Sequence, residues 1–516
     1  MKNNTSLKVQ AAILASSGII TKIIGFLYRI PMANILGNEG NGIYSVAFGI
    51  YSIALTLSSY SMPVSISKLL SQMNNKDDVE KSKVFIVSVL LSMVLGMVAF
   101  CGLFFGAEGL AAQFGKPGIQ ISLKILAPTT VIVTLLGCLR GYFQGYDNML
   151  PTAISQIIEQ IINAVVSVVG AGQLIYFIKS DDGTAAVRSA GGTLGTLMGA
   201  VFALVFLIMF FSIHVGVKSL KIKIVKRDIL VIGKVLLMLM LPIIFSQTIY
   251  QIGYTIDDLL FANILLSNGI NNRVVTEMQG VINTQYTQII NMPVGVATAF
   301  GVAVIPRISG AFARKDKETL NQNINQIIGM TSFVIFPATL GLSICSDEIM
   351  QVLFPNLNEY HLMASKLLSY GAVSVVLYAF STITTSILQG CNKLVITVRN
   401  GLISLTIHIV IVSLLLSFTN LNVYALLIAD ILFPFVILTL NLIYLKNKME
   451  IKCIKIDIIK KHLLSALIMT AVLTILKNCI DDTFGSIYKL ILEVTVGVGI
   501  YLLSEIWLNK HGKRAK

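Results

Sequence analysis

Fourteen runs of mainly apolar residues follow one another along the chain, each near the length that crosses a bilayer. They lie at roughly 10–34, 43–68, 84–106, 121–145, 150–178, 187–214, 229–266, 280–306, 324–345, 365–389, 395–418, 423–445, 462–479 and 486–508. A membrane helix needs about 20 such residues. In hydrocarbon each backbone polar group must find its partner inside the protein, so continuous apolar runs cross as helices. The expectation is an all-α polytopic membrane protein with about 14 transmembrane helices. Charged residues make up 12% of the 516, about half the share in a soluble domain.

The joints between the runs set the orientation. One alternate set is basic. It carries Lys68, Lys76, Lys81 and Lys83, then Lys218, Lys221, Lys223, Lys226 and Arg227, then Arg307, Arg314, Lys315 and Lys317. It continues with Lys393 and Arg399, and then with Lys446, Lys448, Lys452, Lys455, Lys460 and Lys461. The other set holds one or two basic residues per joint at most. Lys and Arg mark cytoplasmic loops, so an even number of spans with both termini cytoplasmic is expected. This placement also accounts for the net charge of +14 without nucleic acid as a partner.

The chain repeats itself. Ile24-Gly25-Phe26 leading to Ala33-Asn34-Ile35-Leu36 returns as Ile252-Gly253-Tyr254 leading to Ala262-Asn263-Ile264-Leu265. Lys76-Asp77 returns as Lys315-Asp316, and Gln144-Gly145 as Gln389-Gly390. The division expected is a six-helix lobe over 1–217, a second over 218–446, and two further helices with a basic tail over 447–516. Six is even, so both halves enter from the same side. They form a parallel repeat with a pseudo-two-fold axis along the membrane normal, a recurring transporter plan.

Polar side chains inside the runs are the candidates for function, because each is costly in lipid. The stretch LRGYFQGYDNMLPTAISQIIEQIIN, residues 139–163, places Arg140 and Gln144 before a tight turn. Gln156, Glu159, Gln160 and Asn163 follow it at helical spacing on one face. Such a stripe suits a wet chamber, or else interhelical hydrogen bonds. Lys22 and Arg29, seven residues apart on the first span, suit an anionic ligand such as a diphosphate. Their alternative is internal salt bridges to Glu159 or to Asp257 and Asp258.

In the seventh and eighth spans Gln251 and Gln288 are further cavity candidates. Asp257 and Asp258 suit a coupling cation, Na⁺ or H⁺, or simple pairing with Arg29. Asn400 and Asp430 are additional ion-ligand candidates, and His408 reads as a hydrogen-bonded core residue. Gly191, Gly195 and Gly199 on the sixth span allow close approach of another helix. Cys345 and Cys479 fall near one face, but none of the six cysteines has the spacing of a metal site. No phosphate-cradling glycine loop or metal-binding acidic motif of a glycosyltransferase occurs, so no enzyme activity and no cofactor are expected.

KIIGFLYRIPMANILGNEGNGIY near the start, MPVSISKLL after the second span, and the 139–163 stretch together resemble the polysaccharide-exporter branch of the MATE-like MOP flippase superfamily. Within it the chain is similar to the stage V sporulation protein B group and to the MurJ-like lipid II flippases. The resemblance implies two six-helix lobes around a cavity, with alternating access in a bacterial plasma membrane. It implies passage of a polyprenyl-diphosphate-linked sugar to the outer leaflet, serving peptidoglycan, spore cortex or another polysaccharide. Membrane lipids and cell-wall synthesis proteins are the implied partners. Lys22 and Arg29 match the family's basic pair, with Arg29 about one residue out of register. The lipid II members also carry basic residues inside spans 2 and 8. Here span 2 has none before Lys68, and span 8 has none between Arg273 and Arg307.

Overall fold

A computed structural model describes residues 7–73, 78–177, 183–214, 224–449, 456–479 and 485–512. Lys76, Asp77, Lys218, Lys221, Lys223, Lys452 and Lys455 lie outside the described residues. Thirteen helices are long and apolar enough to cross a membrane. The first, Ser16–Gln72, runs 57 residues, more than twice what a bilayer requires. It breaks at Gly37, whose φ of 68° is a left-handed conformation that a side chain rarely tolerates. Counted as two passes, that helix brings the thirteen to the expected fourteen.

The chain divides into two compact units, Met1–Gly280 and Val281–Lys516. The first contains α1 (Leu7–Ser58), α2 (Met62–Gln72), α3 (Asp78–Gln113) and α4 (Ile119–Gly145). It continues with α5 (Leu150–Gln173), α6 (Thr184–His214), α7 (Lys226–Ser267) and the short α8 (Asn272–Gly280). Its core is built from α2, α3, α4, α6 and α7 around Met62, Phe143, Phe211 and Leu236. Phe85 stacks on Phe211 at 5.1 Å between ring centres and meets Tyr142 at 4.7 Å. A second apolar cluster joins the latter half of α1 to α3 and α4 through Tyr51, Leu103 and Leu123. α7 and α8, which the division expected from sequence places in a second lobe, pack inside this first unit.

The second unit opens with a π-helical turn, Val281–Tyr286, and continues into α9 (Thr287–Ala313) and α10 (Lys317–Ile344). Then come α11 (Ser346–Leu353), α12 (His361–Gly371), α13 (Val373–Gly390), α14 (Leu394–Phe418) and α15 (Val423–Met449). α16 (Ile456–Cys479) and α17 (Ser486–Gly512) pair with each other and pack against α10 through Phe336, Ala466, Met469 and Tyr501. Ion pairs tie them in place: Glu505 takes both Lys461 at 2.7 Å and His462 at 2.8 Å, and Lys477 reaches Glu348 at 2.8 Å. His408 is buried and bonded to the Ala429 carbonyl at 2.9 Å, a core residue as expected. Cys345 is buried, Cys479 is exposed, and both are free thiols.

Candidate functional site

The polar stripe of α5 is assembled by its neighbours. A turn of four residues separates α4 from α5, with Asp147 at φ 57° and the Asn148 amide donating to the Phe143 carbonyl at 3.0 Å. Pro151 at the start of α5 needs no amide partner there. α6 then grips α5 along the three glycines. A Cβ on Gly191 would strike the Gly170 carbonyl, one on Gly195 would strike Ser167, and one on Gly199 would meet the Glu159 carbonyl at 2.5 Å. The small-residue stripe thus sets where α5 stands.

With α5 fixed, its polar face meets α1 and α4. Arg140 donates from Nε to Ser155 at 3.0 Å and from Nη2 to Glu159 at 2.7 Å. Ser17 on α1 donates to Gln156 at 3.1 Å. The Gln160 amide nitrogen lies 3.1 Å from where a Cβ on Gly25 would stand. Asn163 donates to the Tyr28 hydroxyl at 3.4 Å and accepts from Ser167 at 2.9 Å. All four stripe residues are half-buried, so the interhelical bonds and the open side share one surface.

Lys22 and Arg29 are placed differently. Both are exposed, and among the described residues neither forms a salt bridge. Glu159 belongs to Arg140, while Asp258 is bound by Gln279 at 3.1 Å. Arg29 sits beside Tyr28 and Tyr44. The polar face that α5 presents to α1 and α4 is held by Ser17, Tyr28 and the Arg140–Glu159 pair, while Lys22 and Arg29 are exposed on α1. Gln144 is half-buried one turn beyond Arg140 on α4.

The remaining candidates lie apart from this face. Gln251 is half-buried on α7, about two turns before Asp257 and Asp258. Gln288 is buried on α9, in the second unit. Asp430 accepts from the Tyr378 hydroxyl at 2.6 Å and the Tyr286 hydroxyl at 3.3 Å. Asn400 is fully buried near the start of α14, donates to Asn441 at 2.8 Å and accepts from Arg399 at 3.2 Å. Asn400 and Asp430 thus hold different partners. Ser17, Tyr28 and Ser155 were not singled out by sequence, because single hydroxyls in apolar runs are too common to read. An apolar furrow of about 440 Å³ runs between α1 and α3, lined by Ile50, Ile53, Leu57, Leu95, Val98 and Phe114 among others.

Residues 7–312 match the family described as polysaccharide biosynthesis protein, and residues 284–414 match the MatE family. Lipid II flippase MurJ of Bacillus subtilis (strain 168) is 24% identical over 420 residues, 77% of this chain and 75% of that protein. Stage V sporulation protein B of the same organism is 25% identical over 410 residues, 78% of this chain and 76% of that protein. The solved structure of lipid II flippase MurJ in an inward closed conformation aligns with a TM-score of 0.69 at 17% identity. It covers 97% of this chain and 99% of that one. An inward-facing multidrug resistance MATE transporter of the MOP superfamily aligns with a TM-score of 0.68 at 15% identity, over 87% and 98% of the two chains. The first family match takes in more than half of the chain, including the whole α1–α4–α5 face, and the fold is shared along nearly all of it. The chain is therefore a multi-pass membrane protein that belongs to the polysaccharide biosynthesis protein family, on the fold of the MOP exporters.

Proposed function

We propose that this protein is an alternating-access flippase that carries a polyprenyl-diphosphate-linked sugar precursor from the inner to the outer leaflet, with both termini cytoplasmic. The observation that carries this reading is the pair of exposed cations on α1, Lys22 and Arg29, which form no salt bridge among the described residues of a membrane-spanning bundle. An unpaired cation inside a bilayer costs several kcal/mol at its centre, about 2.5–3.5 on insertion scales, unless it meets an anion or water. A diphosphate supplies the anion and the neighbouring amides and hydroxyls suit sugar. The apolar furrow beside α3 gives the prenyl chain a dry path. The relatives named for lipid II and for sporulation make a peptidoglycan precursor the first substrate to test.

Other undecaprenyl-linked units are the neighbouring reading, because the basic residues that lipid II members carry within spans 2 and 8 are missing here. A cation-coupled drug exporter is the reading favoured by the MatE match over 284–414. Lys22 and Arg29 oppose it, since cationic drugs call for an acidic cavity. The experiment is outer-leaflet exposure of lipid II in cells where this protein is the only flippase, before and after its depletion. Exposure that depends on the protein supports the reading. Lipid II that still reaches the outer leaflet after depletion removes it as substrate and directs the same assay to other prenyl-linked sugars.

A further inference from the structure

The turn between α3 and α4 reads FGKPG, and a lysine in such a turn would ordinarily reach into water. Here Gly115 takes a φ of 62°, the Lys116 amide donates back to the Ala111 carbonyl at 2.9 Å, and the side chain turns inward until only 3% of the residue is exposed. Its Nζ donates to the Thr276 hydroxyl on α8 at 2.9 Å. The α7–α8 hairpin holds the same turn from outside. Asn272 donates to the Gly115 carbonyl at 2.5 Å, and Asn263 to the Gln113 carbonyl at 3.1 Å. The bend of α1 closes the third side without a side chain to spare: a Cβ on Gly42 would collide with the Thr276 carbonyl, and one on Gly280 with the Asn38 carbonyl.

Charged groups stand on each element around this turn, and Asp258 and Glu39 act on Lys116 itself. Asp258, 6% exposed, stands on α7 with Asp257 beside it, and Gln279 donates to the Asp258 carboxylate at 3.1 Å. Glu39 comes from the bend of α1 and lies 3.7 Å from Arg273, which also holds Glu277 at 3.0 Å on α8. Arg188 on α6 donates to the Ile35 carbonyl at 3.2 Å. Lys116 is the one lysine in this group, and its amine touches a neutral hydroxyl.

We propose that Lys116 is a proton site that couples to the outer closure of the transporter, losing a proton as the α7–α8 hairpin seats on the α3–α4 turn and regaining it as the hairpin lifts. This rests on the transporter reading above, in whose orientation the turn faces the outer side. The ligand is H⁺, taken up on the Lys116 amine, with Asp258 and Glu39 the carboxylates that act on it. Burial outweighs the upward pull of Asp258 and Glu39 and lowers the Lys116 ammonium from 10.5 to about 7. Once lifted into water the amine returns toward its ordinary value. Between those limits the lifted form binds more protons than the seated form. Seating is therefore favoured as pH rises from about 7, by up to about tenfold per pH unit, and below about 7 the dependence fades.

The test is substrate-free. Spin labels at Ala112→Cys and Asn268→Cys, in a background with the native cysteines replaced by serine, report the distance between turn and hairpin in proteoliposomes from pH 6 to pH 9. The short-distance population of the otherwise wild-type protein is expected to grow from pH 7 to pH 9. Lys116→Met should hold the short distance at every pH, and Lys116→Arg should favour the long one at every pH. Thr276→Val, which deletes only the accepting hydroxyl, should keep the titration and weaken seating at pH 9. A flat wild-type profile overturns the proposal, as does a Lys116→Met protein that titrates like wild type. If the distance titrates but no lipid-linked precursor is moved, the latch stands and the flippase reading falls.

Discussion

Arg140 on α4 and Glu159 on α5 are joined at 2.7 Å, and the same guanidinium also reaches Ser155 at 3.0 Å. The pair ties α4 to the helix that carries the polar stripe. It also takes Glu159 away from Lys22 and Arg29. Arg140 is the more enclosed partner, its side chain 12% exposed against 28% for Glu159. Glu159→Gln keeps a hydrogen-bond acceptor but loses the charge. It should lower stability by about 1–2 kcal/mol, the scale of a charge-assisted bond reduced to a neutral one. Thermal unfolding in detergent reads this, and a double-mutant cycle with Arg140→Gln should return a coupling of the same sign. Additive single changes would mean that the bridge contributes nothing.

Lys22 and Arg29 lead to the opposite expectation. Among the described residues neither has a carboxylate to lose, so Arg29→Ala and Lys22→Ala should change stability by less than about 0.5 kcal/mol. Transport should fall by more than tenfold, as should affinity for a prenyl diphosphate, and the loss should be larger at low salt. Normal outer-leaflet exposure of the precursor in the Arg29→Ala protein would take Arg29 out of the site. Equal loss of expression and of transport would make its role structural.

Much of this was legible in the sequence, and for a physical reason. Length and apolarity decide where a chain crosses lipid, so the expected spans fall on helices, and the interval left between the first two holds the bend at Gly37. The three glycines of α6 also announced a close approach, because only a missing side chain permits one. Which partner each polar group takes was not legible. Glu159 was an expected partner for Lys22 or Arg29, and only the placement of α4 against α5 selects Arg140 instead. Lys116 looked like any loop lysine, because the walls that bury it come from α1, α7 and α8, far along the chain on either side of it. The tyrosines that hold Asp430 were equally hidden, since Tyr286 and Tyr378 meet it only through the packing of the second unit.

Asn400 and Asp430 were paired as ion ligands by residue type alone, and their surroundings predict different behaviour. The Asn400 oxygen already accepts from the Arg399 guanidinium at 3.2 Å, and its amide is bound to Asn441 at 2.8 Å. A side chain beside a fixed cation is a poor place for Na⁺. Asn400→Ala should leave any Na⁺ dependence of transport unchanged while costing about 1 kcal/mol of stability, the usual worth of an interhelical polar bond in a membrane bundle. Transport measured against Na⁺ concentration decides it, and a shifted half-saturation would restore Asn400 as a ligand.

The last expectation concerns Gly195 on α6. A Cβ there would run into the Ser167 hydroxyl and stand 2.5 Å from the Asn163 carbonyl, and neither atom belongs to a flexible chain end free to retreat. Ser167 is itself held by Asn163 at 2.9 Å and by the Gly192 carbonyl at 2.8 Å. Gly195→Val must therefore push α5 away from α6 as a unit. Overpacking of this kind costs about 1–3 kcal/mol. The consequence that separates it from local crowding lies where α5 meets α1 and α4. As the helix moves, Glu159 shifts from Arg140 and Asn163 from Tyr28. A Gly195→Val protein should thus show a reduced Arg140–Glu159 coupling in the double-mutant cycle, along with its lower unfolding temperature. Gly195→Ala should show the same pattern at smaller size. Loss of stability with the coupling intact would mean that α5 yields locally, and that the polar face does not depend on the grip of α6.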